Sequence, residues 1–313
     1  MPAHEILVSR REMLVRSAVA VASLALPRLA VAQEPPKPKA NRKIAVTIDD
    51  GPATGSGREL EPFLKIADAL RECFVAEKVP AIMFLNERQL NVDGQRDARV
   101  GVLHRWLDAG LDLGNHTYSH PNLGNVDLAR FTDDIVQGEV VSRPLLEARG
   151  KKLVWFRYPF LATGSGDTAV AVEEFLARRG YRIAPVSVDY RDYSFAGAYA
   201  RHVRAGDTPK AAEQFATVLA ALDEAFARAE TRSVEVLGYE LPQTLLIHCN
   251  EMNALTLRTA LRRIRDRGYT FVPMDEAMED PAYKMAGIRP GGMGGGGLFN
   301  SMAAAKRGAG HKQ

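Results

Sequence analysis

The sequence predicts an α/β fold, a distorted (β/α) barrel of about seven parallel strands. Three observations carry that prediction. Short β-branched or apolar runs alternate with stretches of helical periodicity along most of the chain. The chain has 313 residues, and its body, without two atypical ends, is close to the roughly 250 residues that such a barrel takes as one domain. Polar clusters punctuate the runs at their C-terminal ends, the end where the loops of an α/β barrel converge.

In chain order, Lys43 to Ile48 is a β-branched run, and Gly55 and Gly57 then break the chain before a helical pattern from Arg58 to Ala76. Ala81 to Leu85 is a second apolar run, followed by a polar loop and a helix near Val100 to Ala109. Leu111 to Gly114 predicts a third strand, and one long helix is expected from Asp127 to Arg149. Lys152 to Phe156, a helix from Thr168 to Arg179 and a strand over Arg182 to Val188 come next. A long connection from Ser194 to Leu241 holds a helix over about Lys210 to Ala229, and is long enough to form a lid. Thr244 to Ile247, a helix from Ala254 to Arg267 and Tyr269 to Val272 complete the pattern.

The composition is 46% hydrophobic and 25% charged, ordinary for a globular protein, and it excludes disordered, collagenous and polytopic membrane classes. Net charge is +3. Residues 284–313 carry +5 and residues 1–32 carry +2, so the body between them carries about −4. A nucleic-acid partner is therefore not expected, because such a protein concentrates positive charge on its folded body. Cys73 and Cys249 are too few for a disulfide framework. The first 32 residues read as an export signal. Arg10-Arg11 precedes a short Ala/Val-rich stretch interrupted by Arg16 and ending in Ala30-Val31-Ala32, a pattern that resembles a twin-arginine signal. The stretch is too short to span a membrane, and no stable span is expected after cleavage. Residues 33–42 form a Pro-rich linker, 43–283 the folded domain, and 284–313 a Gly-rich tail expected to be disordered.

Five polar clusters follow predicted strands: Asp49-Asp50-Gly51-Pro52, His116-Thr117-Tyr118-Ser119-His120, Arg157-Tyr158-Pro159-Phe160, Asp189-Tyr190-Arg191-Asp192-Tyr193, and His248. Two histidines and a carboxylate can hold a divalent metal while leaving positions open for water and substrate. Gly114 before the histidines and Pro121 after them place the pair on a loop rather than a helix. Adjacent Asp49 and Asp50 cannot face one way along a strand. At its end, with Gly51 freeing the backbone, one can bind metal while the other reaches a water. Arg157 can order a carboxylate by bidentate hydrogen bonding, and His248 can give a proton to a leaving group.

Together these segments resemble the polysaccharide deacetylase (NodB-type) family of carbohydrate esterases. The family patterns T-[FI]-D-D-G-P, H-[ST]-x-x-H, R-x-P-[YF], D-x-x-D-W and L-x-[LI]-H stand here as Thr47 to Pro52, His116 to His120, Arg157 to Phe160, Asp189 to Tyr193 and Leu245 to His248. All five occur in family order over about residues 43–275. The resemblance implies Asp49 as catalytic base, and Asp50, His116 and His120 as ligands of a divalent metal, zinc first, with cobalt, manganese or nickel as alternatives. It further implies Arg157 holding the base, the Phe160 N–H at the oxyanion, Asp192 tuning the acid His248, and Leu245 and Ile247 shaping the acetyl pocket. Ile48 stands where Phe is commoner, and Tyr193 where Trp is usual, which alters the wall beside His248 and bears on substrate preference.

The activity implied is metal-dependent removal of N-acetyl groups from an amino-sugar polymer, peptidoglycan or an exopolysaccharide, in the periplasm or at the cell surface. Two other readings keep the fold: the same chemistry on a small linear amide, and a catalytically silent carbohydrate-binding module. An open cleft would favour a polymer and a closed pocket a small amide.

The export reading predicts that Arg10→Lys with Arg11→Lys leaves precursor inside the cell while the folded domain stays active in the lysate. Fractionation with N-terminal sequencing checks it. Double-Lys protein that is still exported and begins at Gln33 would exclude the twin-arginine route.

Overall fold

In the computed structural model the described residues are 42–285 and 296–310. The export signal and all of the linker before Arg42 lie outside them. Strand β1 (Arg42–Gly51) is followed by α1 (Leu60–Glu77), β2 (Ala81–Leu85), α2 (Arg96–Asp108), β3 (Asp112–Asn115), α3 (Leu128–Gln137) and α4 (Ser142–Glu147). Next come β4 (Trp155–Phe156), α5 (Gly166–Arg178), β5 (Arg182–Ile183), β6 (Val188–Asp189), α6 (Asp192–Arg204) and α7 (Thr208–Leu237). The chain then forms β7 (Gln243–His248), α8 (Glu251–Asp266), β8 (Tyr269–Phe271), α9 (Met274–Ala277) and α10 (Gly296–Gly310).

All the strand pairs are parallel, in the order β5-β4-β3-β2-β1-β7-β6, with β8 beside the start of β1. The run expected as one strand, Arg182 to Val188, is two short strands on opposite edges of this sheet. Ala184 donates its N–H to Phe156 on one edge, and Ser187 donates to Thr244 on the other. One short segment thus carries the chain across the seam, and the sheet curls into the expected distorted barrel.

Alternation along β1 separates two environments. Ile44, Val46 and Ile48 face outward and pack with Phe63, Ile66 and Leu70 of α1 and Leu257 and Leu261 of α8. Ala45 points inward to a separate cluster with Ile82, Phe84, Trp155 and Ala184. Thr47 and Asp49 continue that inward row, which turns polar toward the C-terminal end of the strand. Gly114 makes room for this interior, because a Cβ there would stand 2.4 Å from the Phe84 ring.

Three expectations change. The single helix over Asp127 to Arg149 is two helices. Asp127 caps α3 by accepting the Arg130 N–H, and the helix stops at Gly138, where a Cβ would lie 2.6 Å from the carbonyl carbon of Thr117. The helix end is thereby pressed against the histidine loop. The connection expected as a lid is a pair of helices, α6 and α7, packed against each other. Val218, Leu222, Ala225 and Phe226 of α7 join the main core, so the pair belongs to the outer helical layer. The tail expected to be disordered contains α10, and Lys284 ends a 3-10 turn. Leu298, Phe299 and Met302 of α10 are buried in the main core, Lys306 donates to the Val236 carbonyl and Arg232 to Asn300. Glycine and alanine dominate the segment, but these three apolar residues, spaced for one helix face, are enough to dock it.

Docking of α10 predicts that Phe299→Ala lowers unfolding free energy by about 3 kcal/mol, as for a buried aromatic. Urea unfolding checks this; an unchanged midpoint would mean the helix contributes nothing to the core.

Candidate active site

The polar end of the barrel is built from loops with unusual backbone. Among the described residues, Asp50, Thr117, His120, Phe160, Leu161 and Arg191 all have positive φ without being glycine. Asp50 lies at the C-terminal end of β1, and the other five lie in the loops after β3, β4 and β6. Such conformations cost about 1–3 kcal/mol each and persist where surrounding structure fixes them. Here they turn consecutive side chains toward one cleft. It has a volume of ≈ 320 Å³ and is lined by Asp49, Asp50, His116, His120, Phe160 and His248, among others.

Asp50, His116 and His120 can each offer a ligand atom within 4.8 Å of the other two. The His116 Nδ1 lies 2.8 Å from the Arg157 carbonyl oxygen. A carbonyl only accepts, so Nδ1 carries the proton and the Nε2 lone pair is free for a metal. That Nε2 is 3.5 Å from Asp50 Oδ1, and His120 Nε2 is 3.2 Å from the same oxygen. Burial, and then the neighbouring His120, push the His116 imidazole down to about 3, which keeps it neutral as a ligand must be. Asp50 Oδ1 is buried without a hydrogen-bond partner. An orphaned carboxylate oxygen facing two imidazole nitrogens fits a divalent cation and is costly otherwise. The loop is held from behind: Asn86 donates to the carbonyls of His116 and Thr117, and Gln89 donates to that of Asp50.

Asp49 lies beside this trio, 3% exposed, with Oδ2 3.7 Å from His116 Nε2. Arg157 reaches it differently from the bidentate fork expected. A single nitrogen, Nη1, donates to both Asp49 oxygens at 3.3 Å. Nη2 donates to Thr47 Oγ1 and the Pro185 carbonyl, and Nε to the Ala184 carbonyl. Burial raises the Asp49 carboxyl above its usual range, and Arg157 only partly offsets it.

Across the cleft, His248 Nδ1 is 2.6 Å from Asp192 Oδ1. Asp192 Oδ2 accepts from the His248 N–H and from Asn250 and Asn253 side chains. Burial disfavours the charged imidazole, but the Asp192 charge and hydrogen bond, with Asp50 and Asp49 behind, push it up to about 10. Burial likewise works against the Asp192 carboxylate, yet His248 holds it below its usual range.

Residues 36–182 match the family model of polysaccharide deacetylases. Over that stretch the chain is similar to the polysaccharide deacetylase family. A chitin deacetylase of Arthroderma benhamiae is 24% identical over 242 residues, 77% of this chain and 53% of that protein. The peptidoglycan-N-acetylglucosamine deacetylase PgdA of Listeria monocytogenes is 24% identical over 253 residues, 80% of this chain and 42% of that protein. The chain thus spans about half the length of these curated relatives. The solved structure of peptidoglycan deacetylase PdaC from Bacillus subtilis shares the fold, with a TM-score of 0.50 and 19% identity over 79% of this chain and 96% of that one.

Of the residues the polysaccharide deacetylase motifs single out, Asp49, Asp50, His116, His120, Phe160, Tyr193 and His248 line the cleft, with Arg157 and Asp192 directly behind. Phe160, 56% exposed, sets its ring edge-on to His120, and Tyr193, 55% exposed, does the same to His248. Leu245 and Ile247 are not brought to the cleft. They pair with Val46 and Ile48 and point out into the main core, while Leu246 lines the cleft. The period of two explains the correction, since His248 shares a face with Leu246 and not with Ile247. Asn250 and Asn253 are not singled out by the sequence motifs. Nothing in their spacing announces the bonds to Asp192.

The His248–Asp192 pair sets a pH dependence. His248 is held above its unfolded value of about 6.5, so its contribution to stability is complete below that pH and is lost as pH rises through about 10. Asp192, held below about 3.9, contributes above that pH and loses its contribution as pH falls through its lowered value. Asp192→Asn should lower the His248 pKa by more than about 1 unit, moving the alkaline limb of the rate profile to lower pH. NMR titration of His248 alongside the pH profile checks this; an unmoved limb would remove Asp192 as the tuning group.

Proposed function

We propose that this chain is a metal-dependent hydrolase that removes N-acetyl groups from an amino-sugar polymer, peptidoglycan or an exopolysaccharide, in the periplasm or at the cell surface. One observation carries the reading: the buried Asp49 carboxylate held by Arg157, and His248 held by Asp192, flank the Asp50–His116–His120 cluster across one cleft. Such a pair, with environments that separate acid from base, suits hydrolysis of an amide.

A divalent cation on Asp50, His116 and His120, zinc before cobalt, manganese or nickel, supplies a Lewis acid for the acetyl carbonyl and lowers the pKa of water. Asp49 accepts a proton from the water as its oxygen bonds to the acetyl carbon. Arg157 and Thr47 keep the Asp49 carboxylate aimed at that point. The Phe160 N–H donates to the carbonyl oxygen as it gains negative charge. His248, with Nδ1 fixed on Asp192, uses Nε2 to protonate the amine as the carbon–nitrogen bond breaks. Acetate and a free amino sugar result.

The cleft does not end at the cation ligands. A second depression of ≈ 460 Å³ shares Asp50 and His120 with it, so an extended chain can cross the site. That openness favours a polymer over a small linear amide. The full set of proton-transfer and ligand groups disfavours a silent binding module.

Acetate release from a panel of glycans and muropeptides, with and without chelator, tests the proposal. Asp49→Asn should keep a full equivalent of metal while losing about 10²–10⁴-fold in turnover. His116→Ala should lose the metal as well. Near-native acetate release by Asp49→Asn would mean another base, and tightly bound metal in His116→Ala would overturn the ligand assignment.

A further inference from the structure

The second depression has a chemistry of its own. Three arginines line it: Arg58 from the loop before α1, Arg88 from the turn after β2, and Arg99 from α2. Arg58 and Arg88 are exposed, and Arg99 is 1% exposed. Among the described residues none of the three is paired with a carboxylate. Arg99 donates from Nε to Gln95 and from Nη1 to the Gln89 carbonyl, and its guanidinium lies 4.1 Å from the Phe63 ring centre. Its Nη2 has no partner at all. Burial and the neighbouring Arg58 both disfavour its charge. Like charges held together, with a buried donor left over, are unfavourable unless an anion joins them.

Several of the other polar groups in the depression are committed elsewhere. Asp50 faces the two histidines. Asn86 and Gln89 hold the ligand loops by donating to main-chain carbonyls, and Gln89 also accepts from Ala53. Ser119 donates to Asp134. The arginines are left as the recognition groups, on anchored backbone: Gln95 donates to the Arg58 carbonyl, and the Arg88 N–H donates to the Tyr118 carbonyl.

We propose that this depression is an anion subsite that binds a carboxylate carried by the glycan, on the unit next to the one that bears the reacting acetyl group. The inference rests on the deacetylase reading and narrows its substrate to an acidic, carboxylate-bearing amino-sugar polymer, such as one with lactyl ethers or uronates. Arginine suits the task because its planar fork matches a carboxylate, and the shared Asp50 and His120 make the depression adjoin the cleft.

The test compares the metal-loaded full-length enzyme on a carboxylated oligosaccharide and on the same compound with its carboxylates reduced to alcohols. In the wild type KM should be about tenfold lower for the carboxylated form, the scale of a charge-assisted hydrogen bond, and added salt should shrink the difference. In Arg58→Gln/Arg88→Gln that ratio should fall to about one; Arg99 is spared because it is buried. Calorimetric binding of both compounds reads the subsite without turnover. A wild-type ratio near one, or a ratio that survives in the double variant, overturns the subsite while leaving deacetylation intact. Carboxylate-selective binding that the double variant loses, with no acetate released from either compound, leaves the subsite standing and overturns the deacetylase reading.

Discussion

The site is organised around one buried guanidinium. Arg157 is 1% exposed and sits inside the barrel paired with Asp49, with Asp189 adding to the charges that favour it. A buried ion costs several kcal/mol unless its hydrogen bonds are satisfied, and here they are. Its donors reach Thr47 and Asp49 on β1 and the carbonyls of Ala184 and Pro185 on the segment that crosses the barrel seam. Its face covers the Phe84 ring of β2, and its own carbonyl fixes the tautomer of His116. One residue, through its side chain and its carbonyl, therefore registers β1, the seam, β2 and the histidine loop to one another. It fixes Asp49 and His116 in the same step, so the geometry of one cannot drift without the other.

That constraint explains why the barrel interior divides by height. Below Arg157 the inward row is apolar, with Ala45, Ile82, Phe84, Trp155 and Ala184 in contact. Above it every inward group is polar or belongs to the cleft. A guanidinium in the middle of an apolar plug would be stranded, and the same guanidinium at the water-filled end would be too mobile to aim a carboxylate. Strained backbone is confined to the same level. Six of the positive-φ residues lie at this end of the barrel, where Asn86 and Gln89 hold the carbonyls of His116, Thr117 and Asp50 from behind. Lys78, at the end of α1, has the ordinary helix-terminating conformation instead.

Much of this was legible in the sequence because parallel strands couple position to chemistry. A polar cluster at a strand's C-terminal end lands on the active face whatever the loop does, which is why Asp49, Asp50, His116, His120, Arg157, Asp192 and His248 could be named in advance. The features that resisted are those set by packing between distant segments. Leu246, not Leu245 or Ile247, reaches the cleft, a matter of strand parity that a motif written in family order obscures. Asn250 and Asn253 hold Asp192 because α8 starts where α6 starts in space, a juxtaposition absent from local pattern. The split of Arg182 to Val188 follows from barrel closure, not from its residues. In α10, a few large apolar side chains outweigh the glycine and alanine around them once a groove against α7 exists.

The charges in the cleft make a final argument about what it can stabilise. Asp49, Asp50 and Asp192 face Arg157 and a protonated His248, a balance of one surplus negative charge among these groups. Asp189 and Arg191 at the rim oppose each other, the Asp189 carboxylate also accepting the Arg191 N–H. A monovalent cation on Asp50 would only neutralise the site. A divalent one leaves a single positive excess beside the carbonyl oxygen where amide hydrolysis develops negative charge, in a pocket walled by Leu161 and Leu246 where that excess is weakly screened. The arginines of the adjoining depression lie on the same side as the cation ligands and away from His248. They can therefore draw an acidic chain toward the site without competing for the proton that the departing amine requires.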